Sequence, residues 1–264
     1  MTELDQSNLL SVENVTVRFG GIVALDGVSF QIRKGAVCGL IGPNGAGKTT
    51  LFNCLSRLYP IESGSIRVEG QPIQRLPSHQ MASLGLGRTF QNLAVFSTMT
   101  VSENVMVGAH LHANSGFFAN SLRLPKVTRE EQGLRQDANA ILQLLRLEDH
   151  AQRMVRDLPF AIQKRVEIAR ALAARPKLLM LDEPAAGLNH EELEELKTFI
   201  NEIRHSLDIS ILLVEHHMGL VMDVSDHIVV LNFGQKIAEG NPEEVQKNPA
   251  VINAYLGVED ANHS

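Results

Sequence analysis

The chain has 264 residues, 44% of them hydrophobic and 20% charged, which fits one α/β domain or a core carrying a small subdomain. Its 24 basic and 30 acidic side chains give a net charge of −6; an acidic balance argues against nucleic acid as the main partner, because phosphate backbones select basic faces. The longest apolar runs, LLML and ILLV, are strand-sized and far below the roughly 20 residues of a membrane span, and the start MTELDQSNLL has no charged-then-apolar leader. The expectation is a soluble, cytoplasmic chain that reaches any membrane through a partner.

In chain order, 9–17 (LLSVENVTV) and 23–32 (VALDGVSFQI) read as strands, with Gly20 and Gly21 as the turn between them. Residues 36–41 (AVCGLI) form a third apolar run that ends in a glycine-rich loop. Leu51, Leu55 and Leu58 then recur at helical spacing. From about 92 to 157 the character changes. Segments 101–112 and 129–148 read as helices joined by a polar and aromatic connector, ANSGFFANSLRLPKVT, and this stretch is expected to be a helical subdomain inserted into the core. The core resumes with a helix from 161, a strand over 177–182, an acidic helix over 190–206, a strand over 209–214 and a short helix after His216. Residues 227–231 and 235–239 read as a hairpin turning near Asn232, Phe233 and Gly234, and the tail after 241 as short and helical. Cys38 and Cys54 lie in apolar surroundings without a C-x-x-C pair, and so read as buried, reduced thiols.

The loop is the first chemical signal. Gly42, Pro43, Asn44, Gly45, Ala46, Gly47, Lys48 and Thr49 fit G-x-x-x-x-G-K-[ST], with Thr50 following. Successive backbone N–H groups make a nest for phosphate, glycines let the backbone approach, and the next helix aims its positive end at the anion. Lys48 is expected to reach the β- and γ-phosphates of ATP and the Thr49 hydroxyl to help hold Mg²⁺. The second signal is LLMLDE at 178–183. An apolar strand ending in Asp182 presents a carboxylate where open α/β sheets bind ligands, on the Mg²⁺ side. Glu183, one residue on, can act as general base toward a water. A small-molecule kinase needs no hydrolytic base there.

Together these residues resemble the ATP-binding subunits of ATP-binding-cassette (ABC) transporters, over roughly residues 9 to 257. Within that family the chain is most similar to the branched-chain amino acid uptake subunits, through RFGGIVALDGVSF (18–30), GRTFQNLAVFSTMTVSENVMVG (87–108), LDEPAAGLNHEE (181–192), VEHHMGLVMDVSDHIVVLNFGQKIAEGNPEEV (214–245) and NPAVINAYLG (248–257). Importers of urea and amides share similar sequences. The resemblance implies a P-loop α/β core of ABC ATPase type over 9–91 and 158–240, with an N-terminal antiparallel β subdomain, a helical subdomain over about 92–157 and a tail over 241–264. It implies that Phe19 stacks on adenine. It further implies that Gln91 senses Mg²⁺ and the γ-phosphate, that Asn189 lies in the loop facing a partner cassette, and that His216 contacts the γ-phosphate. Each has a plainer alternative: core packing for Phe19, a surface position for Gln91, a structural role for His216. Asn189 also reads as a helix N-cap, with Glu192 completing a capping box. His217 reads as scaffold.

In the family, the stretch at 158–172 opens with Leu-Ser-x-Gly-Gln or similar, and its Ser and a glycine N–H serve the ATP bound by the opposite subunit. Here it reads LPFAIQKRVEIARAL. An ungapped alignment sets Pro159 at the Ser, Ala161 at the second Gly and Ile162 at the Gln, with Phe160 and Gln163 beside them. Pro offers neither hydroxyl nor N–H. Losing a charge-assisted donor costs roughly 1.5–3 kcal/mol, on the order of tenfold to a hundredfold in rate if it falls on the transition state. The alternative is a helix start tuned for packing alone. Lys48, Asp182, Glu183 and His216 are all present, so the resemblance favours pairing with a second, different cassette over a homodimer. It also implies two integral-membrane permease subunits, an extracytoplasmic solute-binding protein acting indirectly, and a peripheral place on the cytoplasmic face of the inner membrane. Two other classes stay open: a soluble cassette ATPase acting on nucleic acid or ribosomes, and a small-molecule kinase or nucleotide switch.

Overall fold

A computed structural model describes residues 8–90, 93–109 and 125–261, without the side chains of 125–131 and 256–261. Two sheets organise the described residues. The first is antiparallel. Strand β1 (Asn8–Phe19) pairs with β2 (Ile22–Arg33) through a two-residue turn in which Phe19 faces Ile22, and β1 pairs on its other side with β4 (Ser63–Val68), which carries the short β5 (Gln71–Pro72). The second sheet has the order β10-β9-β3-β8-β7-β6. Its members are β3 (Val37–Ile41), β6 (Leu86–Arg88), β7 (Leu178–Asp182), β8 (Ser210–Val214), β9 (His227–Asn232) and β10 (Gln235–Gly240). All neighbours in it are parallel except the β9–β10 hairpin. The hairpin turn is Phe233 and Gly234, with φ of 44° and 78°, the left-handed pair of a tight hairpin turn.

The parallel strands read as continuous apolar runs because both faces are buried. Every residue of β3, β7 and β8 is buried. Alternate residues feed two cores. Val37, Ile41, Leu179, Leu181, Ile211 and Leu213 join one cluster with the helices. Cys38, Leu40, Leu178, Met180, Leu212 and Val214 face the antiparallel sheet and helix α1 (Lys48–Leu55). The helices of the middle of the chain, α2 (Val101–Ala109) and α3 (Pro125–Leu144), share the first cluster through Val101, Val105, Leu134, Ile141 and Leu142. Helices α4 (Phe160–Ala173), α5 (His190–Leu207) and α6 (Met218–Val224) pack on the same side, and α7 (Pro242–Gln246) and α8 (Pro249–Ala261) close the chain. Among the described residues no helix is long and apolar enough to cross a membrane.

Two local readings change, and one falls outside the described residues. Leu58 does not continue the helix after the glycine-rich loop. That helix stops at Leu55, Arg57 takes a left-handed φ of 57°, and Leu58 is 52% exposed. The connector before the second middle helix ends earlier than expected, because Pro125 starts α3, a position that needs no N–H and suits its fixed φ. Residues 110–112, expected to extend the helix from 101, lie outside the described residues. Both cysteines are free and buried.

Candidate functional site

The C-terminal ends of β3, β7 and β8 meet side by side, with Leu40 opposite Val214 and Val214 opposite Asp182. In an open α/β sheet this edge is where ligands bind. Gly42–Gly47 leaves β3 and enters α1, whose N-cap is Gly47 with φ 101° and no side-chain capping bond. A Cβ on Gly47 would come within 2.7 Å of the Ala24 carbonyl oxygen, and one on Gly42 (φ 149°) would overlap the Leu231 carbonyl. These two glycines are therefore fixed by close backbone approach as well as by positive φ. Gly45, φ 78°, has nothing within 4 Å of a would-be Cβ, so the loop keeps an open face there. The hairpin turn braces it, with Gly234 N–H donating to Ala46 O at 3.0 Å.

Lys48 is 5% exposed, and its ammonium donates to the carbonyls of Gly42 (2.6 Å) and Pro43 (3.0 Å). Burial pulls its pKa below the usual lysine range, opposed by the charges of Glu183 and Asp182. Among the described residues no carboxylate lies within ion-pair distance of it. A buried cation held only by carbonyls is matched to an incoming anion. The loop, Ile22, Val23, Glu183 and His216 together line a cavity of about 330 Å³.

Asp182 is 3% exposed and accepts from Arg88 Nη2 at 3.1 Å. Burial pushes its carboxyl up, with Arg88 opposing. Glu183 follows in a left-handed conformation, φ 50°, its N–H donating to Val214 O at 2.9 Å. Its Oε1 lies 2.8 Å from His216 Nε2. A carboxylate bonded to an imidazole at the edge of an anion-shaped cavity is an arrangement able to take a proton from water. Buried Glu215 sets the position of His216. It accepts from Ala185 N–H (2.6 Å) and His216 N–H (2.9 Å), tying the turn after β7 to the turn after β8.

The exposed Thr49 hydroxyl and the Asp182 carboxylate are hard oxygen donors of the kind Mg²⁺ takes. The described residues hold no group of three or more His, Cys, Asp or Glu able to cage a metal. A cation here would complete its shell with nucleotide oxygens and water, the usual habit of Mg²⁺.

Other expected site residues fall elsewhere. Phe19 is 45% exposed, with its ring edge-on to Tyr59 at 5.1 Å; it is not core. Ile22 and Val23, not Phe19, form the apolar wall of the cavity. Gln91 lies outside the described residues, but its flanks are held: Phe90 N–H and Ala94 N–H both donate to Glu167 Oε1, at 3.0 and 3.3 Å. Asn189 caps α5 in a full capping box with Glu192, and His217 caps α6 through Leu220 N–H. Pro159 is the N-cap of α4, extended at φ −55° and ψ 150°, without a side-chain capping bond. Phe160 is 47% exposed, Ala161 is buried, Ile162 packs on the core, and Gln163 Nε2 donates to Leu158 O at 2.8 Å. The Phe160 ring rests on Gly187, 3.1 Å from where a Cβ would be.

Four polar residues in this network escaped the sequence reading: Arg88, Lys164, Glu167 and Glu215. Lys164 donates to Glu183 O at 3.0 Å from α4. Glu167 is buried in RVEIARAL, where Arg165 and Arg170 also carry charge, so no local signal marks it. Arg88 ends β6, and Glu215 directly follows β8.

Residues 25–186 match the family described as ABC transporter, and 235–261 match one described as branched-chain amino acid ATP-binding cassette transporter. A high-affinity branched-chain amino acid transport ATP-binding protein of Pseudomonas aeruginosa, BraF, is 46% identical over 94% of this chain and 98% of its own length. The Escherichia coli protein LivG, with the same description, is 44% identical over the same shares. Among solved structures, an ATP-binding cassette of an ABC transporter in its ADP conformation superposes with a TM-score of 0.80 at 32% identity, covering 95% of this chain and 99% of that one. The chain belongs to the ABC transporter family, as an ATP-binding cassette most similar to the branched-chain amino acid transport group.

Proposed function

We propose that this chain is the ATP-hydrolysing subunit of an importer for branched-chain amino acids or a related small polar solute such as urea or an amide. The solute class rests on the relatives' descriptions and on the matching C-terminal segment. The hydrolytic reading rests on one observation: Glu183 Oε1 sits 2.8 Å from His216 Nε2 on the wall of the cavity that the phosphate loop lines.

In this reading the N–H groups of 42–50 cradle the phosphates and Lys48 transfers its bonds from two carbonyls to phosphate oxygens. Glu183 takes the proton of the attacking water, and His216 holds Glu183 and the terminal phosphate in register. Thr49 and Asp182 would hold Mg²⁺, with Gln91 beside them; bound there, Mg²⁺ neutralises charge on the phosphate oxygens. Phe19 and Tyr59 offer the aromatic surface for adenine. The test separates binding from chemistry. Glu183→Gln is expected to keep ATP binding and to lose phosphate release by on the order of 10²–10⁴-fold. Unchanged phosphate release sinks the reading, as does hydroxyl-acceptor phosphorylation in place of phosphate release.

The partner is a second, different cassette whose ATP meets α4 of this chain. Support comes from the start of α4: Pro159 brings no donor, Ala161 stands where the family pattern has a glycine, and the cap is empty. Asn189 would face that partner. Two permease subunits would dock near the helices of 92–157, placing the chain on the cytoplasmic face of the inner membrane, with an extracytoplasmic binding protein delivering solute. Nucleic acid has no part in this reading; absence of retention of DNA and RNA in a low-salt filter-binding assay is the expected result.

A further inference from the structure

Arg88 ends β6 with its side chain 11% exposed. Its guanidinium touches three separate parts of the site. Nη1 donates to Asn53 Oδ1 and Ser56 Oγ, both at 2.9 Å, at the end of the helix that follows the phosphate loop. Nη2 donates to Asp182 Oδ2 at 3.1 Å, across 94 residues of sequence. The guanidinium lies over the rings of Phe52 and Phe90, 5.4 and 5.1 Å from their centroids, and Phe90 is the neighbour of Gln91. Nothing in the phosphate-loop chemistry requires this residue.

We infer that Arg88 is a positioning residue for the divalent cation: anchored on α1, it holds Asp182 by one carboxylate oxygen and leaves the other to a cation or its water. The inference rests on the reading of Asp182 as a Mg²⁺-side ligand. A carboxylate this buried is costly to keep charged without a partner. Arg88 supplies one before any cation arrives. The two Nη1 bonds and the aromatic contacts fix the guanidinium to the phosphate-loop helix, so it cannot follow the carboxylate outward. A planar fork suits this task, because it serves Asn53, Ser56 and Asp182 at once; an ammonium in its place would be a single point charge unable to span them. Partners of this kind, one step out from the metal, orient the ligand and tune its affinity.

The experiment uses the full chain and Mn²⁺ as a spectroscopically visible cation. Bound Mn²⁺ is titrated by EPR with excess ATPγS, and nucleotide binding without cation is measured separately with trinitrophenyl-ATP in EDTA. Arg88→Met is expected to raise the Mn²⁺ half-saturation roughly tenfold to a hundredfold and to leave the cation-free affinity close to the parent's. Arg88→Lys and Asn53→Ala are expected to shift it in the same direction by less, and they carry the test if Arg88→Met fails to fold. Unchanged Mn²⁺ half-saturation in the folded variants overturns the inference. So does an equal loss of cation-free binding, which marks a general structural role. Failure of the unaltered chain to bind trinitrophenyl-ATP overturns the nucleotide reading itself, a separate outcome.

Discussion

Two helices of this chain begin where the proposed function puts a phosphate, and they begin differently. Helix α1 starts from Gly47 in a left-handed conformation, with Lys48 buried in its first turn. Helix α4 starts from an extended Pro159, with a half-exposed Phe160 next. Neither has a side-chain cap. By contrast α5 and α7 close their own starts with Asn–Glu capping boxes, and α6 does so with His217. A capped start has satisfied its free N–H groups internally; an uncapped one leaves them for an anion. The dipole alone does not equalise the two open starts. One has a nest of N–H groups and a buried cation, and the other has a residue without N–H or hydroxyl at its cap. On the proposed reading, the chain keeps its own ATP site complete and offers its neighbour a reduced one.

Four changes sharpen or break this contrast. The largest expected effect is on the phosphate loop. Gly42→Ala would press a Cβ into the Leu231 carbonyl in a conformation glycine favours. A loss of about 3 kcal/mol is expected from such strain, or a melting temperature lower by roughly 6–12 °C, together with lost ATP binding. At the other start, Ala161→Gly should cost only about 1 kcal/mol; both are read by thermal melting. Next comes Pro159→Ser in an assembled complex whose own site here is silenced by Glu183→Gln. Restoring the hydroxyl and N–H should raise the residual phosphate release by on the order of tenfold. No change would mean that the start of α4 does not meet nucleotide. Third, Asn189→Ala removes one capping box, and about 1 kcal/mol should appear as roughly 2–4 °C of melting temperature.

The smallest effect concerns the thiols. Burial pushes Cys54 up to about 11 and Cys38 well above the usual thiol range. Native protein at neutral pH should consume no thiol reagent, while denatured protein should consume two equivalents for its two cysteines. Rapid labelling of the native form would contradict the buried α1 and β3 packing.

The legible parts of the molecule were those in which one short run carries its own constraint. GPNGAGKT needs its glycines for close backbone approach, and LLMLDE needs its apolar run to end at the ligand edge; both stand where those patterns place them. The Asn189 capping box is equally local. Leu58 misled because apolar spacing continues past a helix that Arg57 ends by turning left-handed. Arg88, Lys164, Glu167 and Glu215 were illegible for the opposite reason. Each gains its meaning from a partner far along the chain: Arg88 from Asp182, Lys164 from Glu183, Glu167 from the residues either side of Gln91. No local pattern announces such a bond. For Phe19 the residues left core packing open beside a ligand-facing place, and its half-exposed position at the irregular end of β1 decides against the core.

The proposed asymmetry is tested most directly by transport of radiolabelled solute, a branched-chain amino acid on the proposed reading, in the reconstituted transporter with one glutamate changed at a time. Glu183→Gln in this chain is predicted to abolish uptake, while the corresponding change in the partner cassette, whose site this chain completes with Pro159, should leave most of it. Equal losses from the two changes would contradict the account.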